Sequence, residues 1–257
     1  MERHIDFEGI ENFRDFGGYD TACGRGLRSG LLYRSANHAR ATVADLARLR
    51  EMGLSVVVDL RRPAERARDP SLRHEGFMAH VIENDLGEPG DPWLAALKDS
   101  DISADFFRAD GVKFYQDAPF EERHLDLFAR YFQALAKAGG PVLVHCAAGK
   151  DRTGMLCALT HHMAGVHDDD LIADYLLTND ETRIVRLIPF MMEFVAEHAG
   201  RAPTEEAVRT ALSVHPEYLQ AAFAVMRDQC GSLDGYLEQA LGVDAAMREA
   251  IAERILA

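Results

Sequence analysis

Two kinds of apolar pattern alternate along the first two thirds of the chain. Short runs rich in β-branched residues occupy positions 54–60 and 141–144, and their length is typical of strands buried on both faces of a parallel sheet. Segments in which apolar residues recur every three or four positions occupy 42–52, 120–137 and 153–164, which indicates amphipathic helices. The alternation predicts an α/β fold with a central, mostly parallel sheet flanked by helices.

The remaining segments are less regular. Residues 77–82 predict a further strand. Residues 84–118 hold several prolines, glycines and aspartates, and we interpret them as an irregular insertion or lid over a site, or else as a solvated surface excursion. Residues 168–257 read as successive helices, one of which Pro189 should kink or divide. No internal repeat is present, so residues 1–257 are predicted to form a single domain.

Composition narrows the partners that the chain can have. Its 257 residues carry a formal net charge of −14, which argues against nonspecific nucleic-acid binding because such binding requires a basic stripe. No run of about 18 or more apolar residues occurs, so no integral membrane segment is expected. Charged residues stand where a signal peptide would need an apolar core. This predicts a cytoplasmic protein, although secretion without a leader would also fit.

Neither a disulfide framework nor a metal site is expected. The cysteines are Cys23, Cys146, Cys157 and Cys230. They lack CxxC pairing and zinc-type spacing, and a reducing compartment suits them. The adjacent His161 and His162 cannot easily point at one metal ion. We therefore predict a protein that uses no metal and no other cofactor.

Residues 145–154 carry the clearest chemical signal, with the sequence His-Cys-Ala-Ala-Gly-Lys-Asp-Arg-Thr-Gly. They connect a predicted strand to a predicted helix, at the carboxyl edge of the sheet, where α/β folds bind ligands. The N–H groups of such a loop and of the helix start can surround an anion, and Gly149 permits the necessary turn. The predicted phosphate-binding residues are Ala147, Ala148, Gly149, Lys150, Asp151 and Arg152.

Cys146 is predicted to be the nucleophile of a phosphate-cleaving enzyme. The helix N-terminus and Arg152 both favour its thiolate, and Arg152 also offers two parallel donors to phosphate oxygens. Lys150 adds a point charge, and Thr153 can donate its hydroxyl to the thiolate as the thiolate departs. A cysteine after an apolar run is more often a core thiol. The five-residue interval to Arg152, together with Gly149 and Lys150, favours the catalytic interpretation instead.

The leaving group needs a proton donor, which typically contributes about 10²–10⁴-fold to the rate. Asp151 is the first candidate because it lies inside the loop. Asp59 is the second, because it ends another predicted strand at the same edge of the sheet, and Asp117 is a remote third. Asp151 could instead only cap the following helix, and Asp59 could only bond to backbone N–H groups near Arg61 and Arg62.

Other functions fit the loop less well. A nucleotide-binding Walker motif would need glycine at position 144 and Ser or Thr at position 151, where the chain has Val144 and Asp151. A phosphate-binding module without turnover would not need the full set of catalytic residues. A sulfurtransferase or arsenate reductase is a further alternative, but a persulfide-forming loop has little use for Lys150 and Arg152 together.

The loop resembles the H-C-x-x-G-K-D-R-T-G signature of the bacterial atypical tyrosine and lipid phosphatases, a branch of the protein tyrosine phosphatase superfamily. His145, Cys146, Arg152 and Thr153 match the superfamily pattern of His-Cys, five residues, then Arg-Thr. Further segments similar to this branch extend over nearly the whole chain. These segments are residues 12–19, 33–35, 59–61, 216–219 and 231–237.

The resemblance implies a protein tyrosine phosphatase-like fold with a helical C-terminal part. It also implies a metal-free reaction in two steps, in which Cys146 forms a phosphocysteine that water then hydrolyses. The acid of this branch lies at the position of Asp151, and His145 and Thr153 have supporting roles.

Possible substrates follow from the same resemblance. Phosphotyrosine in a phosphorylated protein is the leading one, and phosphoserine or phosphothreonine is a further candidate. The Lys150 position resembles a feature of phosphoinositide phosphatases, which adds phospholipid head groups. The uncharged Ala147 and Ala148 weaken the case for a highly phosphorylated lipid.

Overall fold

A five-stranded sheet lies at the centre of the computed structural model, which describes residues 3–87 and 90–257. The strands are β1 (Arg14–Asp15), β2 (Leu32–Ser35), β3 (Val56–Asp59), β4 (His80–Ile82) and β5 (Val142–His145). Their order across the sheet is β1-β2-β5-β3-β4, and only the short edge strand β1 runs antiparallel to its neighbour. The predicted mostly parallel α/β sheet is confirmed.

The central position of β5 sets the geometry of everything that follows it. In the register of the sheet, His145 at the end of β5 lies opposite Ser35 of β2 on one side and Asp59 of β3 on the other. The three parallel strands therefore end at one level. The segment that leaves β5 emerges between two neighbouring strand ends, where backbone N–H groups and side chains from several elements converge.

Helices cover the sheet and form most of the C-terminal part, as predicted. Those in the described ranges are α1 (Val43–Glu51), α2 (Pro63–Arg68), α3 (Pro92–Asp99), α4 (Ala104–Asp117), α5 (Glu122–Lys137), α6 (Asp151–Ala164), α7 (Asp168–Leu176), α8 (Glu181–Ala199), α9 (Glu205–Leu212), α10 (Pro216–Cys230), α11 (Leu233–Gln239) and α12 (Ala245–Ile255). The predicted helices at 42–52, 120–137 and 153–164 are confirmed, the last one beginning two residues earlier than expected, at Asp151.

The interpretation of residues 84–118 as irregular is wrong. Outside residues 88 and 89, which lie beyond the described ranges, this stretch contains α3 and α4. Of the residues that suggested a loop, Pro92 occupies the first turn of α3, Asp99 ends that helix and Asp110 lies inside α4. Asp91 and Ser103 are the N-caps of these two helices. Because α4 packs against α9 and α10, it is joined to the C-terminal helices, and a lid function stays a prediction.

Pro189 does not divide its helix. α8 continues through this residue from Glu181 to Ala199, and Pro189 itself is exposed. The side chains of Ile184, Ile188 and Val195 are buried, and α8 packs on α3 and α9. Tertiary packing therefore maintains the helix although proline removes one backbone hydrogen bond.

The strand side chains alternate between two apolar layers. Val58 and Val144 face the larger core, which contains α5, α6, α10, α11 and α12. Val57 and Leu143 face the other side of the sheet and pack with α1 and the N-terminal segment. Burial on both faces explains why these strands are continuous apolar runs. Among the helices of residues 3–87 and 90–257, none combines the length and the apolar character that a membrane span requires.

Two valine substitutions test this placement. Val57→Ala should lower the free energy of unfolding by about 1.5–3 kcal/mol, because Val57 is 0% exposed and its methyl groups leave a cavity. Val43→Ala makes the same deletion on a side chain that is 86% exposed, and should change stability by no more than about 0.5 kcal/mol. Denaturant unfolding followed by circular dichroism measures both. Equal effects at the two positions would contradict the burial of Val57 in the sheet.

Candidate active site

The predicted phosphate-binding loop lies at the carboxyl end of the central strand. β5 ends at His145, Cys146 follows directly, and α6 begins at Asp151 after the non-helical backbone of Lys150. Cys146 is 2% exposed, so its side chain is almost completely covered by the surrounding protein.

Side chains from the first forty residues hold the carbonyl groups of this loop. The Asn37 side chain donates Nδ2 to the Ala147 carbonyl at 3.0 Å, and the Asn37 backbone N–H donates to the same oxygen at 3.0 Å. Asn12 Nδ2 donates to the Gly149 carbonyl at 2.8 Å, and Arg34 Nη2 donates to that carbonyl at 3.0 Å. These donors bind the carbonyls of two different peptide units from outside the loop.

The direction of the carbonyls determines where the N–H groups point. In a trans peptide, C=O and N–H point in opposite directions, so the N–H groups of Ala148 and Lys150 point away from those donors and toward the open side of the loop. Gly149 allows the turn because its φ is +64° and a Cβ there would lie 2.3 Å from the Ser35 carbonyl oxygen. The local geometry suits a tetrahedral anion.

A buried ion cluster lies behind the loop. Asp174 of α7 is within 3.2 Å of Arg34 Nη1 and 3.5 Å of Arg14 Nε, and all three side chains are buried. Burial alone would raise the pKa of the Asp174 carboxyl, but the charges of Arg14 and Arg34 outweigh it and lower that pKa. Arg14 Nη1 in turn donates to Asn12 Oδ1 at 2.6 Å. The cluster therefore fixes two of the side chains that hold the Gly149 carbonyl.

Arg152 is oriented by a carboxylate from α2. Its Nη1 and Nη2 donate to Glu65 Oε2 and Oε1 at 2.5 and 2.7 Å, and Nη1 also donates to the Leu60 carbonyl at 3.2 Å. Burial alone would raise the pKa of Glu65, but the charge and hydrogen bonds of Arg152 lower that pKa to about 2. Burial opposes the charge of Arg152, yet Glu65 raises the pKa of the guanidinium above its usual value. Both groups are therefore charged near neutral pH.

The two oxygens of Asp151 have different neighbours. Tyr115 donates its hydroxyl to Oδ1 at 3.3 Å, and Oδ2 lies 3.6 Å from Lys150 Nζ. The Asp151 side chain is 30% exposed. Lys150 Nζ donates to the carbonyl oxygens of Ala211 and Ser213 at the end of α9, so its ammonium binds that helix terminus as well as Asp151.

Asp59 has a different environment. It is 1% exposed, and Arg61 Nε and Nη2 donate to its two oxygens at 2.9 and 2.6 Å. The Arg61 backbone N–H adds a bond of 3.1 Å, as the alternative interpretation of this residue anticipated. Burial would raise the pKa of Asp59, but the charges of His145 and Arg61 hold it well below its usual value. Asp117, the third candidate acid, forms an exposed ion pair with Lys113.

The two supporting residues of the loop have buried polar atoms. His145 Nδ1 lies 3.4 Å from the Cys146 carbonyl oxygen, and the ring stacks on His38 with the centroids 4.9 Å apart. Burial lowers the pKa of His145 to about 4 against the opposing charge of Asp59, so the ring is neutral near pH 7. Among the described residues, Thr153 Oγ1 has no hydrogen-bond partner although it is fully buried.

Among the described residues, the other three cysteines and the potential metal-binding side chains do not form a second cluster of functional groups. Cys157 is buried in α6, and burial raises the pKa of its thiol to about 12 although Arg34 acts in the opposite direction. Cys23 is exposed and Cys230 is half-buried. Within residues 3–87 and 90–257, no three His, Cys, Asp or Glu side chains are grouped so that they could hold a metal ion.

Three side chains around the loop were not recognised from the sequence as site residues. Glu65 and Tyr115 contact Arg152 and Asp151 over long sequence separations, and Asp174 acts on the loop through Arg34. Nothing next to these three residues in the chain indicates these contacts. Asn12, Arg14 and Arg34 were included only in segments that resemble a family. The structure shows what the sequence could not: Asn12 has a positive φ of 56°, and Arg14 and Arg34 are fully buried in β1 and β2.

The fold and the site define a mostly parallel sheet with a cysteine-containing loop at the end of its central strand. A profile of the Tyrosine phosphatase family matches residues 5–257. A protein of Cupriavidus necator, named as a candidate tyrosine-protein phosphatase, is 36% identical over 95% of this chain and 86% of its own length. The triple specificity protein phosphatase PtpB of Mycobacterium tuberculosis is 32% identical over 91% of this chain and 93% of its own length. A tyrosine-protein phosphatase of Nostoc commune is 28% identical over 80% of this chain and 67% of its own length.

The chain therefore belongs to the tyrosine phosphatase family, and it is an enzyme of the protein tyrosine phosphatase class. The family resemblance seen in the sequence motifs is confirmed over nearly the whole chain.

Glu65→Gln tests the ion pair with Arg152. Since the pKa of Glu65 is lowered from 4.5 to about 2 on folding, its ionised form stabilises the protein above pH 4.5, and this contribution is lost as the pH falls toward 2. The variant should be less stable than the wild type by about 3 kcal/mol at pH 7, and the difference should shrink between pH 4.5 and 2. Urea unfolding at several pH values measures it.

The matched control for this experiment is Glu253→Gln on the exposed side of α12. It removes the same charge from a solvated position and should leave the free energy of unfolding nearly unchanged over the same pH range. A stability difference for Glu65→Gln that stays constant from pH 7 down to pH 2 would count against an ionised Glu65 paired with Arg152.

Proposed function

We propose that this phosphatase hydrolyses phosphomonoesters through a phosphocysteine intermediate on Cys146, with phosphotyrosine as its main substrate. One observation carries the proposal. The sulfur lies in a loop whose carbonyls are bound from outside by Asn12, Arg34 and Asn37, so that the N–H groups point to the side where an anion would meet the sulfur. A phosphate held by those N–H groups has its phosphorus next to a nucleophile.

Arg152 supports binding of the same phosphate. A guanidinium has five N–H donors, and in Arg152 those directed at Glu65 and the Leu60 carbonyl come from Nη1 and Nη2. None of the described residues accepts a hydrogen bond from Nε, so Nε–H and the second Nη2–H are both available. The planar guanidinium makes these two N–H groups parallel. That pair fits two equatorial oxygens of a transferring phosphoryl group. Glu65 thus acts as a positioning residue that fixes the plane of the guanidinium.

The first chemical step transfers the phosphoryl group to sulfur. The Cys146 thiolate attacks phosphorus, the bond from phosphorus to the leaving oxygen breaks, and Asp151 gives its proton to that oxygen. In the second step water attacks the phosphocysteine and Asp151 takes a proton from the water. Inorganic phosphate leaves and the thiolate is regenerated, with the unpartnered hydroxyl of Thr153 available to donate to the departing sulfur.

Asp151 is a better acid than Asp59 for two reasons. It lies inside the loop with its side chain 30% exposed, so a leaving group can reach it. Asp59 is buried, and both of its oxygens accept hydrogen bonds from Arg61, which keeps it ionised and leaves it without a proton to give. We therefore assign Asp59 a structural role in holding Arg61.

The depth of the sulfur supports phosphotyrosine as the main substrate. Because Cys146 is almost completely buried, a phosphate on a long aromatic side chain reaches it more easily than a phosphate on serine or threonine. The Mycobacterium tuberculosis relative is named a triple specificity protein phosphatase, which supports a substrate range wider than phosphotyrosine. We therefore include phosphoserine, phosphothreonine and phosphoinositides as further substrates. In the conformation described, Lys150 binds carbonyls of the α9 terminus, so a lipid phosphate would have to compete with these contacts.

Cysteine substitution tests the nucleophile. Cys146→Ser should abolish hydrolysis of para-nitrophenyl phosphate, whereas Cys23→Ser, which changes an exposed cysteine, should retain wild-type activity. The assay is run with and without a chelator, and the wild-type rate should be the same in both. Activity in Cys146→Ser, or its loss from the wild type on chelation, would exclude the metal-free thiolate mechanism.

Leaving-group dependence tests the acid. Asp151→Asn should slow hydrolysis of phenyl phosphate, whose phenolate is a poor leaving group, by about 10²-fold or more. Hydrolysis of para-nitrophenyl phosphate should slow far less, because para-nitrophenolate is a good leaving group that departs without a proton. Asp59→Asn should show no such difference between the two substrates. The ratio of the two kcat/KM values is the measurement. An Asp151→Asn variant that slows both substrates equally would move the acid role elsewhere.

Matched phosphopeptides test whether the length of the phosphorylated side chain determines access to Cys146. Peptides of one sequence that carry phosphotyrosine, phosphoserine or phosphothreonine should differ in kcat/KM by at least roughly tenfold in favour of phosphotyrosine. Release of inorganic phosphate measures all three, and short-chain phosphoinositides are assayed alongside. Equal rates for phosphotyrosine and phosphoserine would contradict the argument from the depth of Cys146.

A further inference from the structure

Three buried tyrosines from three different helices converge beside Asp151. They are Tyr115 of α4, Tyr175 of α7 and Tyr218 of α10. The ring of Tyr115 stacks on that of Tyr218 with the centroids 5.4 Å apart, and it meets the ring of Tyr175 edge-on at 6.4 Å. The cluster lies outside the loop motif, and the reaction described above does not use it.

The hydroxyl groups of this cluster form a directed chain. Tyr115 and Tyr175 are joined through their hydroxyl oxygens at 2.8 Å, and the Tyr115 hydroxyl lies 3.3 Å from Asp151 Oδ1. An ionised carboxylate can only accept, so Tyr115 donates its single proton to Asp151 and accepts the proton of Tyr175. Burial raises the pKa of Tyr115 well above its usual value, and the neighbouring Tyr175 and Asp151 raise it further, so its hydroxyl stays protonated.

Two glycines allow the rings to pack as closely as they do. A Cβ on Gly154, the last residue of the loop motif, would lie 2.8 Å from the ring of Tyr175. A Cβ on Gly111 in the middle of α4 would lie 2.6 Å from the ring of Tyr218. Glycine inside a helix costs about 0.5–1 kcal/mol relative to alanine, so close contact with the tyrosines is a physical reason for both residues. The cluster is therefore held rigidly against the start of α6.

This rigidity makes the two carboxyl oxygens of Asp151 inequivalent. Oδ1 accepts the proton of Tyr115, whereas Oδ2 accepts no hydrogen bond from the described residues and lies 3.6 Å from Lys150 Nζ. We propose that Tyr115, supported by Tyr175, is a positioning residue that fixes the carboxyl group of Asp151 so that Oδ2 gives and takes the catalytic proton. The inference rests on the proposed function of Asp151 as the acid.

Tyr115→Phe removes the donor and keeps the ring. We expect kcat for phenyl phosphate to fall about tenfold and kcat for para-nitrophenyl phosphate to change little, because only the poor leaving group needs an oriented acid. Tyr175→Phe should produce a smaller change in the same direction.

The matched control is Tyr131→Phe. Tyr131 is also fully buried, and its substitution also removes one hydroxyl contact, to Thr160 Oγ1 at 2.9 Å. Tyr131 belongs to α5 and has no hydrogen bond to Asp151. Tyr131→Phe should leave the ratio of the kcat values for the two substrates unchanged. Thermal unfolding of both variants shows whether the two deletions cost similar stability, so that a general loss of structure can be separated from a change in the acid.

A double substitution separates this inference from the proposed function. In an Asp151→Asn background, Tyr115→Phe should have no further effect on the leaving-group ratio, since the group that it positions is gone. If Asp151→Asn shows the leaving-group effect but Tyr115→Phe behaves like Tyr131→Phe, the positioning role is overturned and the acid stands. If Asp151→Asn slows both substrates equally, the acid role fails, and the positioning role fails with it.

Discussion

The buried carboxylate of Asp174 is the group on which the geometry of the site depends. It pairs with Arg14 and Arg34, and these two guanidiniums act on the Gly149 carbonyl, Arg34 directly and Arg14 through Asn12. Removing one partner of a buried ion pair typically costs about 3–5 kcal/mol, because the other charge is left without compensation. A charge on α7 therefore determines which way a peptide unit between β5 and α6 faces. The open side of the loop carries N–H groups for this reason.

The charge distribution around the loop resolves an apparent conflict in the composition. With a net charge of −14, the protein as a whole would repel a phosphate anion. The arginines near the loop are paired with buried carboxylates: Arg61 with Asp59, Arg152 with Glu65, and Arg14 and Arg34 with one shared carboxylate, Asp174. These ion pairs fix the positions of the guanidinium groups and add little net positive charge. In the proposed mechanism, backbone N–H groups, the start of α6 and the remaining donors of Arg152 attract phosphate at short range.

The sequence predicted features that adjacent residues determine, and it missed features that depend on contacts between residues far apart in the chain. The strands at 56–59 and 142–145 and the loop after β5 follow from local patterns, because β-branched runs and a fixed cysteine-to-arginine spacing are properties of adjacent residues. Glu65 and Tyr115 reach the loop across 87 and 36 residues, and only packing brings them there. The helices within 84–118 were missed because prolines and aspartates, which are frequent in loops, also occur at helix starts and within helices, as Pro92 in α3 and Asp110 in α4 show.

The hydrogen bonds around the loop divide it into two parts that are held by different regions of the fold. The residues up to Gly149 are fixed by β5 and by the N-terminal side chains Asn12, Arg34 and Asn37, so the sulfur and the N–H groups form one rigid unit. The next two residues are held by the helical part of the chain, Lys150 through the end of α9 and Asp151 through α4. A shift of α4 or α9 against the sheet would therefore move the proposed acid Asp151 and Lys150 and leave Cys146 in place. In the proposed mechanism, phosphate capture and proton transfer thus depend on different parts of the fold, and the packing of these two helices would alter proton transfer while capture is unchanged.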